Sequence, residues 1–286
     1  MKQNTYDFDP YKRHVPGKDS TMEYGTYYEK SVRLPFDPDD DRMIRVWLPP
    51  HYEEDQNKRY PVIYMSDGQN LVDRELSAYG DWHMDKTVNA LMEEGLSGVI
   101  LVGIDCPKDP AKRANELNPP FPIKPYLGEP SHPYGNLYLD YIVKVLKPEI
   151  DKLFRTKADL LHTGIGGSSM GGIMAFHAYM AYPNDFGFSM AFSVPTFFYK
   201  MVTWKHLIDE VWAFDPNTKR KLAMWVGGEG FERKFTPGNF WIYRHLTKMG
   251  MNESNFHFES DLALPHHEES WARYAKEALR FFLKDC

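Results

Sequence analysis

Gly167-Ser168-Ser169-Met170-Gly171 carries the spacing of a nucleophilic serine held in a tight turn. A serine hydroxyl attacks a carbonyl only when it is exposed on strained backbone and a base takes its proton, and small residues at ±2 let the turn close. Ser169 has glycine at both of those positions, with Gly166 and Gly172 just outside them; Ser168, the competing serine, has Met170 at +2. Chance alone produces this pattern in many chains, so its context decides. Leu160–Gly166 reads as a strand and Met170–Tyr182 as a helix, which puts Ser169 at a strand-to-helix turn. The unbonded N–H groups and positive dipole end of such a helix face any oxyanion formed there. The competing reading is a glycine-rich turn selected for tight helix–sheet packing.

The surrounding elements must hold that turn. Thr26–Leu34 and Met43–Leu48 read as an antiparallel pair separated by the acidic turn Asp37–Asp41. Pro61–Ser66 and Gly98–Ile104 are short apolar runs of the kind buried on both faces of a parallel sheet. Helical spacing covers Asp85–Glu94 and Leu137–Leu153, and Gly187–Val194 returns as a strand. Lys221–Val226, Phe240–Met249, Phe256–Glu259 and Ser270–Leu283 continue the alternation. Strands alternating with helices predict a mostly parallel, doubly wound α/β sheet, whose ligands bind at the carboxyl ends of the strands. We expect an amino-terminal arm over residues 1–20 and one domain over 21–286.

Composition narrows the function. A net charge of −6 leaves no basic stripe for nucleic acid or an anionic membrane. No run approaches the ~18 apolar residues of a spanning helix. Residues 1–17 lack an apolar secretion segment, so a cytoplasmic location is expected. Two cysteines, Cys106 and Cys286, make neither a disulfide framework nor a zinc ribbon. Aromatic residues reach 15%, which fits a well-filled core or a cleft walled with rings.

GGSSMGG (166–172), YPVIYMSDGQNLVD (Tyr60–Asp73) and HHEESW (His266–Trp271), in that setting, resemble the "putative esterase" family of α/β-hydrolases. That family includes feruloyl and acetyl-xylan esterases, siderophore (enterochelin-type) esterases, S-formylglutathione hydrolase (esterase D) and the mycolyltransferases. Agreement runs from Met43 to the carboxyl end and takes in Trp82-x-x-Asp85, Arg113-x-Asn115-Glu116 and LKPEID (Leu146–Asp151). The resemblance implies an α/β-hydrolase fold with Ser169 as nucleophile. It also implies an oxyanion hole made by the backbone amides of Gln69 and Met170, in keeping with a second donor on the loop after an early strand. A strand-ending turn capped by Asp67 or Asn70 is the structural alternative for Asp67-Gly68-Gln69-Asn70.

Relatives place the base five residues before a tryptophan, which here gives His266, with His267 the alternative. A metal reading of His266-His267-Glu268-Glu269 is poor, because neighbouring residues at a helix start splay apart. The acid should follow the serine and precede the histidine, on the loop Val226–Glu232. Relatives carry it where this chain has Gly230. Glu229 is therefore the first candidate, Glu232 the second and Asp261 an outsider; the acid could also be missing.

These readings converge on a serine carboxylic-ester hydrolase that forms an acyl-serine and needs neither metal nor organic cofactor. Expected substrates are small-molecule or carbohydrate esters with short, aryl (feruloyl-like) or sugar groups, since no long insertion forms a lid over a long-chain site. Trp82 and Phe197 are expected to bind substrate, with Phe198, Tyr199 and Trp204 nearby, unless these rings only pack. Two alternatives are an acyltransferase using the same acyl-enzyme and a catalytically silent binding module. The oligomeric state stays open, a homo-oligomer included.

Overall fold

The computed structural model describes residues 10–77, 79–121, 132–212 and 214–286. Among the described residues, nine strands form one sheet: β1 (Lys12–Arg13), β2 (Thr26–Leu34), β3 (Asp37–Leu48), β4 (Val62–Ser66), β5 (Ile100–Ile104), β6 (Thr163–Ser168), β7 (Phe188–Phe192), β8 (Lys221–Gly227) and β9 (Phe256–Asp261). Their spatial order is β1-β2-β3-β5-β4-β6-β7-β8-β9. The first three strands and the β3–β5 pair are antiparallel, and every pair from β5 to β9 is parallel. This is the mostly parallel α/β-hydrolase-type sheet with antiparallel amino-terminal strands that the sequence predicts.

Alternation along the buried strands supplies two cores. Val62 and Tyr64 of β4 face one side and Ile63 and Met65 the other; Leu222 and Met224 of β8 oppose Ala223 and Trp225 in the same way. The helices are α1 (Met84–Glu93), α2 (Pro110–Glu116), α3 (Gly135–Tyr141), α4 (Lys147–Leu153), α5 (Met170–Ala181), α6 (Met201–His206), α7 (Thr236–Met249) and α8 (Glu268–Leu283). Residues of α1 and α8 cover one face of the sheet, and residues of α3, α5 and α7 the other. None of the described helices is long and apolar enough to cross a membrane.

Three local readings change. The turn before β3 is at residues 35–36, and Asp37–Asp41 begins the strand instead. Its charges are tolerated because Asp37 accepts from the buried guanidinium of Arg42 at 2.9 Å and from Lys112 at 2.5 Å, while Arg42 also meets Glu116 at 2.7 Å. The predicted helix Leu137–Leu153 contains a wider π turn, Ile142–Leu146, just before Pro148. Proline has no N–H to offer the carbonyl four residues back, so the ladder slips there. Leu160–His162 is a 3-10 turn rather than the start of β6.

Residues 17–24 are strapped to the loop between β4 and α1, and to the first turn of α1, by side-chain carboxylates. Gly17 N donates to Glu75, Thr21 N to Asp73, and the amides of Glu23 and Tyr24 to Asp85. That loop carries Gln69, Asn70 and Trp82.

Candidate active site

Ser169 sits between β6 and α5 at φ 56°, ψ −121°, a conformation that side-chain-bearing residues rarely adopt. Two backbone bonds hold it there: Ser169 N donates to Phe192 O at 3.0 Å, and Ile173 N donates to Ser169 O at 3.1 Å. The flanking glycines are needed for space. A Cβ on Gly167 would stand 2.8 Å from the backbone of Gly171, and one on Gly172 would stand 2.2 Å from Phe192 O. Ser169 and Met170 are half-buried, whereas Ser168 is buried inside β6.

The candidate oxyanion loop follows β4. Gly68–Asn70 is a 3-10 turn entered from Asp67, whose backbone is left-handed at φ 55°. Two bonds lock the Asp67 carboxylate onto Arg113 of α2, Nε to Oδ1 and Nη2 to Oδ2, both 2.7 Å. Burial works against the Arg113 charge and Asp67 more than offsets it, so its pKa is raised. Met170 opens α5, where first-turn amides have no intrahelical acceptor. The two loops are adjacent, since a Cβ on Gly171 would lie 3.6 Å from Asp67 Oδ2.

His266, half-buried, presents Nδ1 to Oε2 of the fully buried Glu232 in a short hydrogen-bonded contact. Glu232 is fully buried, and its Oε1 accepts from Ser193 Oγ at 2.5 Å and Gly227 N at 3.1 Å. Three rings surround the imidazole: Phe235 stacked at 4.5 Å, with Trp271 and Phe231 edge-on at 4.9 and 5.5 Å. His267 does other work, its Nδ1 accepting from Glu269 N as the cap of α8.

Glu229, the acid first expected, is exposed and is not brought to His266. The cause is local. Gly228 N and Glu229 N both donate to Leu264 O at 3.1 Å, and that pairing fixes Glu229 at the loop's outer turn. The chain then winds through a 3-10 turn, Gly230–Lys234, which carries Glu232 inward. Asp261 is taken by Tyr274 OH and Ala263 N. Trp82 is buried, with its ring 5.6 Å from Phe192 and 5.7 Å from Trp271. Tyr199 and Trp204 likewise belong to the core. Phe197 is half-buried, 4.9 Å from Phe235 and 6.3 Å from the exposed Phe231, on the His266 side.

Two participants were not legible as such. Ser193 reads as the end of a strand, and only its bond to Glu232 reveals it. Glu268 is buried beside the oxyanion loop and accepts from Asn70 Nδ2 at 3.2 Å; burial pushes its carboxyl up. Among the described residues, a cavity of about 430 Å³ opens at the other end of the sheet, near Gly187, Lys221 and Asp285, with none of the residues above in its lining.

Known proteins share this arrangement of chain. The curated relatives include the uncharacterized protein YbbA of Bacillus subtilis, 22% identical over 84% of this chain and 92% of its own length. The siderophore triacetylfusarinine C esterase of Aspergillus fumigatus is 28% identical over 50% of this chain and 48% of its own. The solved siderophore hydrolase EstB of Aspergillus nidulans superposes with a TM-score of 0.68 at 18% identity, covering 95% of this chain and 97% of that one. Residues 37–275 match the esterase family described as "Putative esterase", and the chain belongs to that family.

Proposed function

We propose that this protein is a serine carboxylic-ester hydrolase working through an acyl-Ser169 intermediate. The observation that carries the reading is the Glu232–His266 pair, tied through Ser193 and its neighbour Phe192 to the positive-φ turn that holds Ser169. His266 takes the Ser169 proton through Nε2 as Oγ attacks the ester carbonyl, and Glu232 at Nδ1 fixes the tautomer and stabilises the imidazolium. The amides of Gln69 and Met170 hold the oxyanion. Collapse of the tetrahedral intermediate expels the alcohol, which receives the proton from His266. Water then enters, loses a proton to the same nitrogen, and releases the acid. Every step is proton transfer and acyl transfer, carried by residues of this chain.

The exposed Phe231, edge-on to His266, and the half-buried Phe197 against it support esters with a planar or aryl portion, short acyl esters and sugar esters being the other members of the class. A relative named as a siderophore esterase and a structural neighbour named as a siderophore hydrolase add siderophores to the substrates to be tried.

The test is p-nitrophenyl acetate hydrolysis by wild type and Ser169→Ala at matched circular dichroism, together with labelling by a fluorophosphonate. Turnover and labelling that both disappear in the variant support the reading. Equal, slow rates in the two proteins overturn it and favour a silent binding module. Product analysis with an added acceptor alcohol separates hydrolysis from acyl transfer.

A further inference from the structure

The dipeptide Phe192–Ser193 at the end of β7 touches both halves of the candidate machinery. The carbonyl of Phe192 receives the amide of Ser169, and the hydroxyl of Ser193 reaches Glu232. Ser193 is completely buried and stands at φ 48°, a backbone conformation costly for any residue with a Cβ. Its backbone is fixed by Ser193 N donating to Trp225 O at 2.7 Å.

The direction of the Ser193 bond follows from its partners. Trp271 Nε1, which can only donate, reaches Ser193 Oγ at 2.9 Å. A carboxylate can only accept, and Glu232 Oε1 lies 2.5 Å from the same oxygen. The single hydroxyl proton is therefore committed to Glu232, with the indole holding the oxygen in place. Gly227 N supplies the second donor to Oε1, so the carboxylate plane is set and Oε2 is left for His266.

We propose that Ser193 is a positioning residue of the catalytic reaction: its hydroxyl, oriented by the Trp271 indole, fixes the Glu232 carboxylate so that Oε2 holds His266 in register with Ser169. The inference rests on the hydrolase reading above. It also explains why a serine, rather than the glycine that the backbone would accept more easily, occupies a left-handed position in the core.

That backbone provides the discriminating variant. Ser193→Gly removes the hydroxyl while relieving the strain, so its fold should be at least as well accommodated locally as that of Ser193→Ala, which removes the hydroxyl and keeps the strain. The experiment measures kcat and KM for p-nitrophenyl acetate, thermal midpoint, and the low-field proton resonance of the His266 Nδ1–H in wild type and both variants. Expected is a fall in kcat of roughly tenfold in both variants, with KM within about twofold, because a lost charge-assisted bond misaligns the base. The Nδ1–H resonance should move or broaden equally in both, although their thermal midpoints differ. A Trp271→Phe change should add little to the catalytic loss once Ser193→Gly is present, since both act through the same bond.

Wild-type kcat and an unmoved resonance in Ser193→Gly overturn the proposal, as does a loss that follows thermal stability instead of the hydroxyl. Ser169→Ala is run alongside. If it retains activity, the hydrolase reading itself has failed; if it is inactive while Ser193→Gly equals wild type, only the role of Ser193 has.

Discussion

Gln69 and Cys106 hold each other through two hydrogen bonds, the Gln69 amide Nε2 donating to Sγ and the Cys106 backbone N–H donating to Oε1, each at 3.2 Å. Burial pushes the Cys106 thiol up to about 11, with the Asp67 charge adding to it, so the thiol stays protonated at neutral pH. Alkylation of Cys106 by iodoacetamide at pH 7.5 should be about two orders of magnitude slower in the folded protein than in urea, rising only as the pH approaches 11. Peptide mass mapping against time checks this; folded-state alkylation as fast as in urea would contradict the assigned environment.

Glu232 and Glu229 lie three residues apart and should behave oppositely. Glu232→Gln leaves a buried amide against His266 and can favour the wrong tautomer, for which a loss in kcat of about 10²–10⁴ is expected. Glu229→Gln changes an exposed side chain and should stay within about twofold of wild type. Steady-state kinetics on the pair decides which carboxylate serves the histidine.

Arg113 meets Asp67 through both oxygens, and a lysine cannot reproduce that fork. Arg113→Lys should cost about 1–3 kcal/mol in urea unfolding. It should also lower kcat more than it raises KM, because Asp67 leads directly into the Gln69 turn. Unchanged kcat with reduced stability would confine the ion pair to holding the fold.

His177 lies in α5 with Nε2 at 2.9 Å from Asn136 Oδ1 and its Nδ1 buried without a partner among the described residues. Burial drives its pKa down to about 3. The folded state therefore keeps it neutral, while the unfolded chain takes up a proton below about pH 6.5. Its contribution is complete above that pH and is lost as the pH falls toward 3. At pH 5 the loss is about 2 kcal/mol. Urea unfolding at pH 7 and pH 5 should show His177→Gln losing less stability on acidification than wild type; identical losses would contradict the assignment.

The fold was legible wherever burial imposes a pattern. Val62–Met65 and Ile100–Ile104 are buried, largely apolar runs because helices cover both faces of the sheet, and Gly167 to Gly171 closes as a sharp turn. Asp37–Asp41 misled because charged residues usually mark solvent, and the buried Asp37 is neutralised by Arg42 and by Lys112 of α2, the latter remote in sequence. The acid was obscured for a related reason. Which carboxylate faces His266 depends on two amides pairing with Leu264 and on the hand of a single turn at Gly230, neither of which leaves a periodic trace. Trp82 stands near the strand ends, as its position suggested, yet two neighbouring rings claim its faces.

The strap of residues 17–24 on the loop before α1 joins segments fewer than 70 residues apart, so a growing chain can complete it early. Ser169 receives its backbone acceptor only once Phe192 has been made, and the Glu232–His266 pair must wait until residue 266 has followed. During synthesis the serine turn would thus be shaped before its proposed base is in place. On the hydrolase reading proposed above, a nascent chain would carry the Ser169 hydroxyl without its base until His266 and the helix α8 that follows it have docked.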